Sequence, residues 1–597
     1  MTPTDHNSTM AGIKTLPEAL LLHSEQQPDR TAYTFLRSGE DPEESITYRE
    51  LDDAARLRAA AFERAGLHGK NVVLLFPSGL EFIRTLIGCM YASVLGAPVQ
   101  VPRRRQGLER LRRIADDAGT TTVLTTGEIK RDLEDRFGDS PELAGLTLID
   151  TETPTRSPWA GRPPYRIPTL RPEGAALLQY TSGSTGDPKG VIVTHANFLS
   201  NVVETDELWP SKPDGTMVSW LPLFHDMGML FGVVLPLWAG VPSYLMAPDA
   251  FIRRPARWLE AISRFRGTHA AAPSFAYELC VRAAEEGRTT DVGDLSSWRV
   301  AVNGAEPVRW GTIRSFTEKF AAYGFAPRAM APGYGLAENT LKATGSPQDH
   351  VPAPLWLSAR ALGEGRVEPA EACESGATAV VSSGIPVLGT RVRIVDPATH
   401  ALCPPDRTGE IWISGPCVSP GYLGRPKLSE ETFRARIHAP DDADEGTYLR
   451  TGDLGFLRDE ELYITGRIKD MVIRKGRNYY PQDIELSAES AAPGLHPNCA
   501  AAFSVDDGAE ERLVVVVEAD GRVLRSTGGP AELRERIHEA IRQNHGLEAD
   551  VVLIVRRGTL SKTSSGKVQR RACRQRYENG DLDTVAASPA GSAEASR

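Results

Sequence analysis

The sequence predicts an α/β protein in which a large N-terminal domain of mixed sheets and helices is followed by a small α+β domain. Three observations predict it. A length of 597 residues exceeds what one hydrophobic core usually supports. Short β-rich runs alternate with helical segments through the first half of the chain. Beyond Gly466 the texture changes to a compact series of strands and helices. With 41% hydrophobic and 24% charged residues, the composition is that of a folded, water-soluble protein.

Taken in order, the β-rich runs Ala32 to Phe35, Val72 to Phe76 and Ala97 to Val101 are interleaved with the helical stretches Tyr48 to Ala65 and Leu80 to Ala92. The pattern continues through Thr121 to Leu124, Ala175 to Tyr180, Thr216 to Trp220 and Val300 to Asn303, each run leading into a glycine-bearing loop. Loops at strand ends are where α/β folds place ligands. In the C-terminal part, strands are expected at Met471 to Ile473, Ala500 to Val505 and Leu513 to Val517. Helices are expected at Gln482 to Ser490, Ala531 to His545 and Lys567 to Tyr577. The boundaries that follow are 1–466, 467–584 and an Ala/Ser/Gly/Pro-rich tail, 585–597, expected to be disordered.

The net charge of -10 argues against general affinity for nucleic acid or anionic lipid, which require an excess of Lys and Arg. Ile468 to Asp583 holds 18 basic and 18 acidic side chains, so the acidic excess lies in the larger part. The seven cysteines form no CxxC pair, which suggests buried thiols rather than zinc or disulfides. The N-terminus lacks the order of a secretory signal, and the most apolar stretch, Met229 to Trp238, is too short to cross a bilayer. A cytoplasmic protein without stable membrane insertion is expected.

The sharpest chemical feature is Tyr180-Thr181-Ser182-Gly183-Ser184-Thr185-Gly186-Asp187-Pro188-Lys189-Gly190, set between an apolar run and the β-branched run Val191 to Thr194. Amides and hydroxyls in such a loop can surround phosphate oxygens. It is not a Walker A loop, because Pro188 stands where the second glycine belongs. A loose Ser/Gly linker would lack this specific order. Further along come Gly333-Tyr334-Gly335-Leu336-Ala337-Glu338, Tyr448-Leu449-Arg450-Thr451-Gly452-Asp453, Gly466-Arg467-Ile468-Lys469-Asp470 and Lys562-Thr563-Ser564-Ser565-Gly566-Lys567.

In these five ordered motifs the sequence resembles the superfamily of acyl-CoA synthetases, peptide-synthetase adenylation domains and firefly luciferase, over nearly the whole chain. The resemblance implies an adenylate-forming enzyme that uses ATP and Mg²⁺ and has a mobile C-terminal domain. A carboxylate is a poor electrophile, so its attack on the α-phosphorus of ATP requires positive charge there, and the resemblance assigns this to Lys567. It assigns Glu338 to the Mg²⁺ that accompanies ATP, Asp453 and Arg467 to the ribose and phosphate end, and Lys469 to the hinge. Thr181 to Gly186 with Lys189 form the phosphate loop. Gly304-Ala305-Glu306 lines the adenine slot opposite Tyr334, within the run Gly333 to Ala337. A lone tyrosine or an Asp/Arg pair would by itself read as core or surface.

Three segments resemble the fatty acyl-AMP ligases in particular: Trp220 to Met229, Asn303 to Val308 and Arg474 to Glu485. Phe224 stands where tyrosine is usual and Tyr479 where histidine is common. Added length between Gly345 and Ala377 matches an insertion of that family, thought to restrain the small domain and disfavour thioesterification of CoA. A neutral surface loop is the plain alternative. His225 is expected beside the acyl carboxylate and phosphate. Trp220, Met229, Phe231, Phe275 and Tyr277 are the acyl-pocket candidates, although aromatic residues flanking a sheet are usually core. The implied reaction makes a fatty acyl-adenylate and passes the acyl group to a separate acyl carrier protein, possible starter chemistry for a lipopeptide or polyketide. The rivals are a long-chain CoA ligase and a noncatalytic acyl-adenylate or ATP sensor. Arg570, Arg571, Arg574 and Arg576 crowd one helix, where they would be available to an acidic carrier.

Overall fold

The computed structural model describes residue 10 and residues 12–152, 165–181, 188–211, 214–288, 292–374, 376–438, 446–474, 477–506, 511–562 and 566–585. Two sheets form the frame of the large part. One has eight strands, in the order Lys342–Gly345, Met330–Gly335, Val300–Asn303, His269–Ala272, Met217–Ser219, Ser243–Met246, Thr31–Leu36 and Glu44–Thr47. Its six inner strands are parallel and its two edges antiparallel. The other has six strands, Thr147–Asp150, Thr122–Thr125, Asn71–Leu75, Leu95–Val99, Ala175–Thr181 and Lys189–Thr194, of which only the last runs antiparallel.

The inner strands are buried on both faces, as parallel sheets require, and therefore read as unbroken apolar runs. Helices fill the layers. Helix Tyr48–Arg64 starts at a capping box in which Thr47 accepts from the Glu50 amide and Glu50 accepts from the Thr47 amide. It packs on helix Leu80–Tyr91, which is buried at all but two positions.

A four-stranded antiparallel sheet, Arg391–Val395, Gly409–Ser414, Leu449–Arg458 and Glu461–Arg467, was not anticipated in the sequence reading; it delivers Asp453 and Arg467. The small part has a three-stranded sheet, Ala500–Asp506, Glu511–Ala519 and Val551–Arg556, with helices Pro481–Ser490 and Pro530–His545 on its core face. That core, around Val472, Ile484, Val515 and Ile537, is separate from those of the large part.

The helix expected from Lys567 begins instead at Arg570 and runs to Glu578. Gly566 adopts φ +85, and Lys562 bridges to Val568, so Lys567 sits on irregular chain ahead of the helix. The strand expected at 97–101 is Leu95–Val99, because its register pairs Asn71 with Leu95. The strand expected at 471–473 is Val472–Arg474.

The segment 345–377, where an insertion is expected, contains strand Pro354–Ser358 and a short helix Ala359–Gly363, and the strand pairs with Ala377–Val381. Its apolar residues Leu357, Leu362 and Val367 join Phe456, Tyr463 and Tyr480 in a cluster at the junction of the two parts. Gly363 lies against the backbone of Asn478, where a Cβ would come within 2.7 Å of the carbonyl oxygen. The tail from residue 586 lies outside the described residues.

Candidate active site

The motif residues converge on one cavity of about 2130 Å³ that opens between the large and small parts. Its floor is the C-terminal edge of the eight-stranded sheet, where Val300–Asn303 ends in Gly304 and Met330–Gly335 leads to Glu338. Gly304 is obligatory there, since a Cβ would meet the Gly333 carbonyl oxygen at 2.7 Å. Thr181 and Lys189 line the cavity; Ser182, Gly183, Ser184, Thr185 and Gly186 lie outside the described residues.

Asp453 is the centre of a polar cluster on one wall. It is buried, its Oδ2 accepts from the Tyr334 hydroxyl at 2.7 Å, and its Oδ1 accepts from Arg467 Nε at 2.7 Å. Its own amide donates to Thr451 Oγ1, which fixes the carboxylate's direction. Burial and the neighbouring Asp453 push the Tyr334 hydroxyl well up, so it stays a donor. Gly333, Tyr334, Gly335, Leu336 and Ala337 all line the same wall.

Glu338 projects from a single turn of 3₁₀ helix, Ala337–Asn339. Its Oε1 accepts from the Tyr422 hydroxyl at 2.8 Å, and Lys189 Nζ lies 5.3 Å from the centroid of the Tyr422 ring. Burial raises its pKa. The turn ends at Thr340, a β-branched residue at φ +64. That conformation is costly and persists only where its surroundings enforce it. Here the Thr340 hydroxyl donates to Cys417 O, while Asn201 holds both the amide and the carbonyl of Lys342. Strain sits directly beside the carboxylate.

At the other side His225 caps a short helix, and its Nδ1 lies 2.6 Å from Asp226 Oδ1. Burial raises the Asp226 pKa, but His225 and then Lys567 outweigh it and hold the carboxylate ionised. Lys567 enters from the small part. Burial lowers its pKa and Arg467 acts the same way, against the pull of Asp226, Glu306 and Asp453. Its approach depends on Gly566, whose Cβ position is 3.1 Å from the Phe275 ring.

Several expected residues are elsewhere. Tyr277 is fully buried among Trp258, Trp298 and Phe316 and donates to Val302 O, so it is core. Met229 is 1% exposed and Trp220 stacks on Phe251. Neither they nor Phe275 line the cavity, whereas Phe231 does. Trp209, absent from the sequence reading, supplies the apolar wall with Phe231, Val302 and Leu341. Its Nε1 donates to Ser346 O, and it fits because Gly345 has no Cβ to strike the ring. The Glu306 carboxylate accepts from the Phe275 amide and from Asn498, so it faces the small part. Lys469 lines the cavity within the turn Ile468–Asp470. The helix arginines are engaged: Arg570 with Glu485 and Asp470, Arg574 with Glu578, and Arg576 with the Thr559 carbonyl. Among the described residues no cluster of three or more His, Cys, Asp or Glu could hold a metal by itself, and no helix is long and apolar enough to cross a membrane.

This fold, with two largely parallel sheets, one cavity lined by the motif residues and a lysine brought in from the small part, is that of an adenylate-forming enzyme. The AMP-binding enzyme family matches residues 22–423, and the AMP domain of the Disco-interacting protein 2-like family matches residues 469–587. The chain is 41% identical to the medium-chain-fatty-acid acyl-carrier-protein ligase JamA of Moorena producens, over 96% of each chain. It is 36% identical to the long-chain-fatty-acid AMP ligase FadD26 of Mycobacterium tuberculosis, covering 95% of this chain and 97% of that one. A fatty acyl-adenylate ligase of Legionella pneumophila, solved with acyl adenylate and pyrophosphate, superposes with a TM-score of 0.74 at 33% identity, covering 97% and 98% of the two chains. The chain belongs to the AMP-binding enzyme family, and within it to the fatty acyl-AMP ligases.

Proposed function

We propose that the enzyme activates a medium- or long-chain fatty acid with ATP and hands the acyl group to the phosphopantetheine thiol of a separate acyl carrier protein. The observation that carries the reading is the meeting of Lys567 with Asp226, Asp453 and Arg467 in one cavity that also has an apolar wall. In the first step a carboxylate oxygen bonds to the α-phosphorus and the bond to pyrophosphate breaks. In the second the thiolate bonds to the acyl carbon, AMP leaves, and the thiol proton goes to solvent.

Asp453 accepts from the ribose hydroxyls, releasing Tyr334 and Arg467 toward the base and the phosphate. Lys567 supplies charge at the α-phosphate, where a buried ammonium acts more strongly than in water. His225, held by Asp226, faces the acyl carboxylate. Glu338 offers a hard oxygen suited to Mg²⁺, whose remaining ligands would be phosphate and water, and the ion would neutralise the leaving pyrophosphate. Trp209, Phe231 and Leu341 receive the acyl chain. The domain boundaries 1–466 and 467–584, with Lys469 as hinge, belong to the same reading.

Incubation with ATP, Mg²⁺ and a panel of fatty acids, followed by either CoA or a holo carrier protein, tests it. Acyl-adenylate and acyl-carrier are expected with little acyl-CoA. Acyl-CoA synthesis as efficient as adenylate formation would place the enzyme among the CoA ligases.

A further inference from the structure

The loop 304–309 carries one acidic and one basic side chain, Glu306 and Arg309, each with a partner in the small part. Glu306 Oε2 accepts from Asn498 Nδ2 at 3.2 Å while its Oε1 accepts from the Phe275 amide at 2.6 Å. Three residues on, Arg309 Nη1 donates to Glu489 Oε2 at 3.2 Å. The Arg309 side chain is 20% exposed and that of Glu489 6%. A buried pair of this kind adds little net stability, but removing one partner leaves a charge stranded in a poor solvent. Its worth is therefore directional.

The small-domain side is wired to the catalytic lysine. Glu489 also accepts from the Ala500 amide through Oε1, which fixes it to the sheet. One turn earlier on the same helix, Glu485 accepts from the Ala502 amide and takes both Nε and Nη2 of Arg570 at 2.7 Å. Arg570 lies three residues after Lys567, and its Nη1 donates to Asp470, the residue after the expected hinge. Two polar contacts one turn apart on helix Pro481–Ser490 thus tie the loop beside the active site, through Glu489, and the segment that follows Lys567 together with Asp470, through Glu485, to the same helix.

We infer that Arg309 and Glu489, seconded by Glu306 and Asn498, are positioning residues that register the small domain so that Lys567 reaches the α-phosphate. The inference rests on the two-step reading above. The latch is a contact between side chains of the two parts. It acts through Lys567, and it has to open when the small domain turns for transfer, because its two halves belong to different bodies.

The test separates the half-reactions. Glu489→Gln and Arg309→Met are compared with the parent in single-turnover acyl-adenylate formation and, separately, in transfer from added acyl-adenylate to a holo carrier. Adenylation is expected to slow about tenfold with the KM for ATP changed less than about twofold, while transfer is retained or faster. The reversed pair, Arg309→Glu with Glu489→Arg, is expected to recover most of the adenylation rate. Should these variants fold poorly, Asn498→Gly removes one hydrogen bond at a position with φ +55 that glycine tolerates, and the same split is expected at about threefold. Equal loss of both half-reactions, or no loss in either, overturns the latch. A parent that makes no acyl-adenylate overturns the functional reading and the latch with it.

Discussion

Two of the contacts between the small part and the large differ in chemistry. Beside the turn Ile468–Asp470, Leu357, Leu362 and Val367 pack with Tyr463, Phe456 and Tyr480 in an apolar cluster. On the far side, Arg309 meets Glu489 and Glu306 meets Asn498 through directional polar bonds. Apolar burial scales with area and tolerates sliding, so the first contact sets proximity. Hydrogen bonds between buried charges fail steeply with angle and distance, so the second sets register. Under the proposed rotation, this division would let the small part stay close while it turns.

The comparison breaks most severely at Lys567, the group that both contacts serve. Lys567→Ala is expected to lower acyl-adenylate formation by at least about 10³-fold, since the one ammonium at the α-phosphate is lost. Pyrophosphate release reads the effect. Thermal unfolding is expected to stay within a degree or two of the parent, because Lys567 sits on irregular chain and its loss empties no core position. A variant that retained a rate within a few-fold of the parent would remove Lys567 from the chemistry.

The apolar contact is sharpened by Leu362→Ala and Gly363→Ala. The first deletes a side chain only 4% exposed and is expected to cost about 2–5 kcal/mol of local packing. The second drives a methyl against the Asn478 carbonyl. Both are expected to speed proteolysis near the hinge while slowing adenylation only about threefold, because register is set elsewhere. Limited proteolysis beside pyrophosphate release checks this. A loss of adenylation as large as that of Glu489→Gln, with the same preserved transfer, would erase the distinction between the two contacts.

Only the polar contact should respond to pH. Burial pushes the Glu489 carboxyl up to about 7, against the pull of Arg309 and with Glu485 adding to the rise. Burial likewise lifts Asp483 to about 6, with Arg309 and Arg570 opposing and Glu485 assisting. Both acids bind their protons more tightly in the folded protein than in the unfolded chain. Their contribution to stability is therefore full below the ordinary carboxylate range and is lost as pH rises through about 6 to 7. Protease sensitivity at the hinge is expected to increase between pH 5 and 8, and Glu489→Gln should flatten much of that profile. An unchanged profile in the variant would show that another group titrates.

Legibility in the sequence divides along similar lines. The motif residues were legible because they stand in short runs of particular residue types, and Tyr334, Glu338, Asp453, Arg467 and Lys567 meet in one cavity. The apolar wall was not legible. An apolar side chain has the same signature in a core as in a pocket, so Tyr277 and Trp220 looked as eligible as Trp209, which owes its place to the missing Cβ of Gly345. Asp226 was passed over for its neighbour His225, although the field at Lys567 marks it. Arg309 and Glu489 are 180 positions apart, and nothing local announces their pairing. The expected helix start at Lys567 failed for a local reason, since Gly566 turns the chain at φ +85 before the helix can form.

The smallest expected effect concerns the outer face of the small domain, away from both contacts. Of the four arginines expected to meet a carrier, Arg570 belongs to the internal chain, Arg574 pairs with Glu578 at 2.8 Å, and Arg576 serves the Thr559 carbonyl. Arg571 is exposed and lines the cavity. The protein as a whole carries -10, so an acidic carrier approaches against the net field and relies on local positive charge. One surface charge in a screened medium shifts an encounter modestly, by about two- to fivefold. Arg571→Glu is accordingly expected to slow acyl-carrier formation by that factor at low salt, to converge with the parent as salt is raised, and to leave pyrophosphate release untouched. A deficit that persisted at high salt would mean that Arg571 acts through packing, and a fall in pyrophosphate release would draw it into the latch instead.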